Sequence, residues 1–266
     1  MVATRNIEAG TFVLREQPLL VACMDARFDA SVSLAGMKAP RRETLSNLYN
    51  SARGIPGMTE LHGIVATNAV GIALPPDGED HLAVCEFASR VNHSCIPNAR
   101  YYWDYDNFAV GLVATKHIRA GTEITITYID PFLPHLDREA HLLSNYGFTC
   151  DCLACQKDSP TYRLSETVRM TVNNLLPDAD GEGDEDLVRW GGTTKAFVQR
   201  ILNMLEVEGL QGERAEVIVR FAEFEQRLGN KERAQRMARW ALRELAKIEV
   251  EDASPDWAAM REIIQG

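Results

Sequence analysis

Three cysteines crowd six positions: Cys150, Cys152 and Cys155 form a C-x-C-x-x-C run. Thiolates this close suit a metal, and Zn²⁺ takes four ligands in a tetrahedron with Zn–S bonds of about 2.3 Å. The run supplies three, so a fourth must come from elsewhere, and Cys95, Cys23 and Cys85 compete for the place. The bland alternative is three buried, inert thiols, but this density favours zinc. A second concentration of polar chemistry is Asn92-His93-Ser94-Cys95-Ile96-Pro97-Asn98. A Cys95–His93 nucleophilic pair fits poorly, because such partners are normally brought together by the fold and not by sequence adjacency. Metal binding through His93 lacks a His-x-x-x-His partner, and a lone histidine is more often a hydrogen-bonded interior residue. Tyr128 closes a β-branched run and, taken alone, reads as a core tyrosine. Asp178-x-Asp180-x-Glu182-Gly183 mimics the start of a calcium loop, but its twelfth position is Arg189 where a bidentate glutamate is needed. A solvated linker is the better reading there.

These groups need elements to position them. Residues 12–22 are β-branched and leucine-rich with a break at Pro18, which predicts short strands. Leu45 and Leu48 predict a short amphipathic helix over 41–52, while 64–74 fits helix or strand equally. Two apolar runs around Asp104-Tyr105-Asp106-Asn107 predict a hairpin over 101–115. A turn at 119–122 should lead into a strand over 123–128. After Cys155 the texture becomes helical, with amphipathic stretches at 163–176, 193–210, 213–228 and 231–249, and an acidic, glycine-containing loop at 177–186. Gly229-Asn230 should cap and turn the last pair into a hairpin of tetratricopeptide type.

The chain has 266 residues, 45% of them hydrophobic and 25% charged, ordinary values that exclude wholesale disorder. The net charge is −10, spread over both parts of the chain. This argues against direct nucleic-acid binding, which needs a basic stripe, and fits a cationic protein partner. The N-terminus MVATRNIEAG lacks the apolar core of a signal peptide, and the stretch Gly63–Pro76 is too short to span a membrane. An intracellular protein, nuclear or cytoplasmic and not secreted or membrane-bound, is expected.

NHSCIPN, then GTEITITYID, then YGFTCDCLAC resembles the SET-domain lysine methyltransferases, in their order. ATRNIEAGTFVLREQPLL matches that family's opening strands and EFASRVNHSC its approach to the signature. The likeness is to the branch related to the SET-plus-MYND enzymes and covers about residues 1–156. It implies an α+β fold of short sheets with a pseudoknot, followed by an all-α C-terminal region. The implied domains are a SET domain over 1–156, with a helical insert at about 24–60 and a post-SET zinc cluster at 146–155, and a helical domain over 157–266. It implies transfer of a methyl group from S-adenosylmethionine to a lysine of a protein, a histone tail or another, by a monomer. Asn92, His93, Asn68, Ser89 and Phe148 would hold the cofactor, Tyr146 and Val70 would line the lysine channel, and Tyr128 would be catalytic. Cys95 would complete a Zn²⁺ site with Cys150, Cys152 and Cys155, leaving Cys23 and Cys85 buried and inert.

Three departures qualify the resemblance. The glycine-x-glycine segment expected before VATRNI is absent from a chain starting at Met1-Val2, and residues 24–67 contain no cysteine for a MYND finger. Val70 stands where a bulky aromatic is frequent, which leaves the degree of methylation open. A catalytically silent binding module is therefore the competing expectation, and a zinc-stabilised hydrolase using Cys95 a distant third.

Overall fold

The computed structural model describes residues 1–23, 37–74, 79–177 and 194–266. Its first part is made of short sheets. Strand β1 (Phe12–Glu16) pairs antiparallel with β7 (Ala109–Ala114), which pairs with β6 (Ala99–Asp104). The predicted β6–β7 hairpin is present. Asp104 closes its turn by accepting from the Asn107 N–H, and Gly111 lies where any Cβ would strike the Tyr102 ring. A second sheet orders β2 (Leu20–Cys23), β4 (Glu79–Val84) and β3 (Ala69–Leu74), all antiparallel.

The ambiguous stretch 64–74 is both things in turn. Helix α2 (Glu60–Asn68) starts on Thr59, whose hydroxyl accepts from the His62 N–H, and β3 begins at the next residue. Asn68 ends the helix by donating its amide to the carbonyls of Ile64 (2.7 Å) and Tyr49 (2.6 Å). The predicted helix over 41–52 is shorter: α1 spans Ala39–Ser46, with Leu45 buried. Of the expected helical insert, 37–60 holds that helix and a run of turns, and 24–36 lies outside the described residues.

The strand expected over 123–128 is also shorter. Only β8 (Thr125–Ile126) forms, parallel to β5 (Asn92–His93). Glu123 contributes a single bridge to Val2, and beyond Ile126 the Thr127 hydroxyl donates to the Ile129 carbonyl, an alternative to the ladder. The β5–β8 contact nonetheless locks the signature to the segment that leads into Tyr128. Asn98 accepts from the Thr125 N–H and donates to the Glu123 carbonyl.

Helix α3 (His135–Tyr146), closed by Gly147 at φ +73°, leads into the cysteine run. Then follow α4 (Pro160–Leu175), α5 (Lys195–Glu208), α6 (Arg214–Arg227), α7 (Lys231–Leu245) and α8 (Pro255–Gln265). The acidic stretch with the calcium-like pattern, 178–193, lies outside the described residues. Ile201, Leu205, Ile218, Phe221 and Met260 form an apolar core that continues into Tyr102, Val113 and Phe132 of the strand-rich part. No described helix is long and apolar enough to cross a membrane.

Cys85 is buried, as expected, and burial with the nearby Glu16 charge pushes its thiol up to about 12. Cys23 is not buried. Leu20 and Ala22 fill the inward positions of β2, and alternation turns Cys23 outward.

Candidate functional site

Between the end of α2, β3 and the Tyr128 segment lies a cavity of about 190 Å³, lined by Asn68, Val70, Val91, Tyr101, Tyr128 and Tyr146 among others. The Tyr128 ring packs against Tyr146 (centroids 4.9 Å apart), His93 (5.3 Å) and Phe148 (6.4 Å). Its hydroxyl donates to the Val91 carbonyl at 2.6 Å. The Tyr101 hydroxyl likewise donates to the Ala88 carbonyl. Each phenol has one proton, and both protons are taken by backbone oxygens. What remains at each oxygen is acceptor capacity.

Burial keeps these phenols neutral. Desolvation pushes Tyr128 up to about 12, with Tyr146 and Glu123 adding to the rise, and desolvation also raises Tyr101 and Tyr146. Val70 and Ser89 complete the wall. Ser89 Oγ lies 2.5 Å from the Cys85 carbonyl oxygen and 3.1 Å from that of Asn68, tying the short turn 88–90 to the end of α2.

His93 sits on the other side of the Tyr128 ring. Its Nδ1 accepts from the Tyr128 N–H at 3.1 Å. An accepting Nδ1 places the proton of a neutral ring on Nε2, which lies 3.3 Å from Cys95 Sγ. One imidazole thus joins the tyrosine to the cysteines. Asn92 is exposed and donates its amide to Glu123 at 2.7 Å. The half-buried Phe148 ring lies 6.0 Å from His93.

The four cysteines converge, with Cys95, Cys150, Cys152 and Cys155 all within 4.8 Å of one another. Cys95 Sγ is 3.5 Å from Cys155 and 4.0 Å from Cys150. A tetrahedron with Zn–S of about 2.3 Å has edges of about 3.8 Å, between those two distances. All four thiols are free, so no disulfide competes. The donor set could hold Zn²⁺. Hydrogen bonds among the four thiols push Cys150 down and Cys95 and Cys155 up, so the cluster shares protons that a bound metal would displace.

Two fully buried arginines support this cluster from behind. Arg169 of α4 donates to the Cys95 carbonyl at 2.6 Å and pairs with Glu208 at 2.8 Å. Arg138 of α3 donates to the Ala154 carbonyl at 3.3 Å and pairs with Glu166 at 3.0 Å.

Residues 1–129 match the SET domain family. The chain is 30% identical over 169 residues to the histone-lysine N-methyltransferase set5 of Schizosaccharomyces pombe, covering 64% of this chain and 50% of that protein. It is 28% identical over 149 residues to the human N-lysine methyltransferase SMYD2, covering 55% of this chain and 33% of that protein. It is 46% identical over 74 residues to the histone-lysine N-methyltransferase ATXR2 of Arabidopsis thaliana, 27% of this chain and 15% of that protein. At most, the chain spans half the length of these relatives.

The sequence-named residues divide into three groups, of which Tyr146, Phe148, Cys150, Cys152 and Cys155 lie beyond the matched residues 1–129. Asn68, Val70, Ser89, Tyr128 and Tyr146 line the cavity together, although the Asn68 amide nitrogen is already committed to capping α2. His93 and Phe148 form a layer behind Tyr128, and Asn92 lies at the exposed edge beyond His93. The four cysteines form the third group. Tyr101 is the residue that sequence reasoning missed. It stands in Tyr101-Tyr102-Trp103-Asp104-Tyr105, where nothing in the spacing tells which aromatic faces the cavity.

Proposed function

We propose that the chain is a protein-lysine N-methyltransferase using S-adenosylmethionine, with Tyr128 at its catalytic centre. The observation that carries this reading is the pair of neutral tyrosines, 128 and 101, whose protons are tied to carbonyls inside an aromatic cavity of a SET segment. A lysine must react as its neutral amine. With a reference pKa of about 10.4, deprotonation at pH 7.4 costs about 4 kcal/mol. A water-poor cavity lowers that cost by disfavouring the ammonium. The phenol oxygens of Tyr128 and Tyr101 accept hydrogen bonds from the amine and hold its lone pair on line. Their raised pKa values mean that they orient and do not act as bases. The aromatic wall of Tyr146 with the Val70 side chain defines the channel width.

S-adenosylmethionine supplies an activated methyl on a sulfonium centre. The residues present fit such a group. Asn92 has its side-chain oxygen to offer, Asn68 keeps its Oδ1, and Phe148 and His93 present ring surface. Ser89 holds the adjoining turn in place. Zn²⁺ on Cys95, Cys150, Cys152 and Cys155 would be structural, since four thiolates leave no open position.

The substrate is a lysine-bearing protein segment, a histone tail or another basic sequence, drawn by the net charge of −10. A monomer acting in the nucleus or cytoplasm, with 1–156 as catalytic unit and 157–266 as helical unit, completes the reading. The experiment is methyl transfer from labelled S-adenosylmethionine to lysine-rich proteins. Incorporation that Tyr128→Phe abolishes supports the enzyme. Cofactor binding without transfer to any substrate favours the silent binding module.

A further inference from the structure

The helical part holds a second concavity, which shares no lining residue with the Tyr128 cavity. It encloses about 690 Å³ between α7 and the start of α5. Six cations line it: Lys195, Arg233, Arg236, Arg239, Arg243 and Lys247. Among the described residues that line it, Glu244 is the one carboxylate, in a chain of net charge −10. Arg236, Trp240, Arg243 and Lys247 recur every three or four residues, so they share one side of α7 and its extension. From Arg233 to Arg243 the row runs about 15 Å at 1.5 Å per residue.

An ordinary solvated helix face balances its charges at i,i+4. This one does so only in part. Arg236 faces Glu232 at 3.6 Å, Arg233 faces Glu225 at 3.8 Å, and Lys247 pairs with Glu244 at 2.7 Å. Arg239 and Arg243 are exposed and make no ion pair among the described residues. Four residues apart, they repel one another. Beneath the cations the floor is apolar. Met237 is buried and Trp240 half-buried, with the Lys195 ammonium 5.6 Å from the Trp240 ring centroid.

We infer that this groove docks an acidic peptide segment of a partner protein. Its carboxylates pair with Arg239 and Arg243, and an apolar side chain between them rests on Met237 and Trp240. A short peptide fits the charge pattern better than a nucleic acid. A long polyanion would be repelled by a chain whose net charge is −10, and Lys195 takes the indole face on which a base would stack.

The test is fluorescence anisotropy on the whole chain. The probes are a labelled twelve-residue peptide of Glu-Glu-Leu repeats, its Gln-Gln-Leu counterpart, and a single-stranded DNA of twelve nucleotides. The Glu peptide should bind saturably at low salt and weaken about tenfold or more at 0.3 M salt. The Gln peptide should not bind. R239E/R243E should lose about tenfold or more in affinity for the Glu peptide with an unchanged melting temperature, and R239K/R243K should retain most of it. Absence of saturable binding by the Glu peptide, equal binding by the Gln peptide, undiminished binding by a folded R239E/R243E, or tighter binding of the DNA would each overturn the proposal. Should R239E/R243E misfold, the salt and Gln-peptide comparisons on the unaltered chain still decide.

Discussion

Tyr128 differs from a core tyrosine in one respect: its hydroxyl proton is pinned to the Val91 carbonyl while its ring forms one wall of a cavity. Tyr128→Phe keeps the ring contacts with Tyr146 and Phe148 and removes only the oxygen. We expect turnover to fall about 10²-fold or more, the scale of losing one preorganised polar group, with cofactor affinity by calorimetry nearly unchanged. Tyr101→Phe should show the same pattern, more weakly. The pH profile follows from the raised phenol pKa values. With Tyr128 pushed up to about 12 and Tyr101 also raised, both phenols stay protonated between pH 7 and 9. The logarithm of kcat/KM should therefore rise with pH from 7 to 9 as the substrate amine deprotonates, with no descending limb from the tyrosines. A bell with its acid limb near neutrality would point instead to a general base. At this scale the sequence was informative where a motif existed. Asn92-His93-Ser94-Cys95 and the cysteine run marked themselves by unusual residue types at short spacing. Tyr101 did not, because alternation along β6 decides its face and the strand offers three aromatics in a row.

Helix α3 shows why some elements escape a reading of apolar periodicity. Its buried side is His135, Arg138 and Leu142, while Leu136 and Leu143 point to solvent. The pattern is inverted because the helix packs a guanidinium, not a leucine, towards the cysteine loop. Strand β4 hides for a related reason, since it opens on Glu79-Asp80. Helices α4 to α7 carry ordinary apolar stripes and were legible. Two predictions belong to these elements. The cysteine loop should hold one Zn²⁺ per chain by elemental analysis, and chelation or Cys150→Ser should lower the melting temperature by well over 10 °C, because metal affinity there is folding energy. His135 is buried with neither ring nitrogen hydrogen-bonded, and desolvation, then Arg138, lowers its pKa. The unfolded chain then binds a proton that the folded one refuses. Stability should fall as pH drops below about 6.5, and His135→Phe should flatten that slope in denaturant titrations.

Across the whole molecule the helical part is joined to the signature segment, and to the strand that follows it, through side chains that reach backbone carbonyls. Arg169 reaches the Cys95 carbonyl, Lys116 lies 3.4 Å from the Ile96 carbonyl oxygen and 3.2 Å from that of Gly209, and Arg100 donates to the Gly212 carbonyl at 2.6 Å. At Gly209, φ is +78° and a Cβ would lie 2.6 Å from the Ile96 side chain, so the end of α5 touches the loop next to Cys95. Composition could announce a helical C-terminal region, but not that it buttresses the NHSC loop, because such contacts fall between residues some 70 to 110 positions apart. Arg169→Met strands the buried Glu208 carboxylate and should cost about 3–5 kcal/mol by chemical denaturation, much of which Glu208→Leu in the same chain should restore. Methyl transfer to lysine by this assembly is tested by intact-mass analysis of a lysine-rich protein incubated with the chain and S-adenosylmethionine. We expect 14 Da increments mapping to lysine side chains, present with the unaltered chain and lost with Tyr128→Phe. Unmodified substrate under conditions where the cofactor binds, or equal increments with Tyr128→Phe, would rule out a methyltransferase centred on Tyr128.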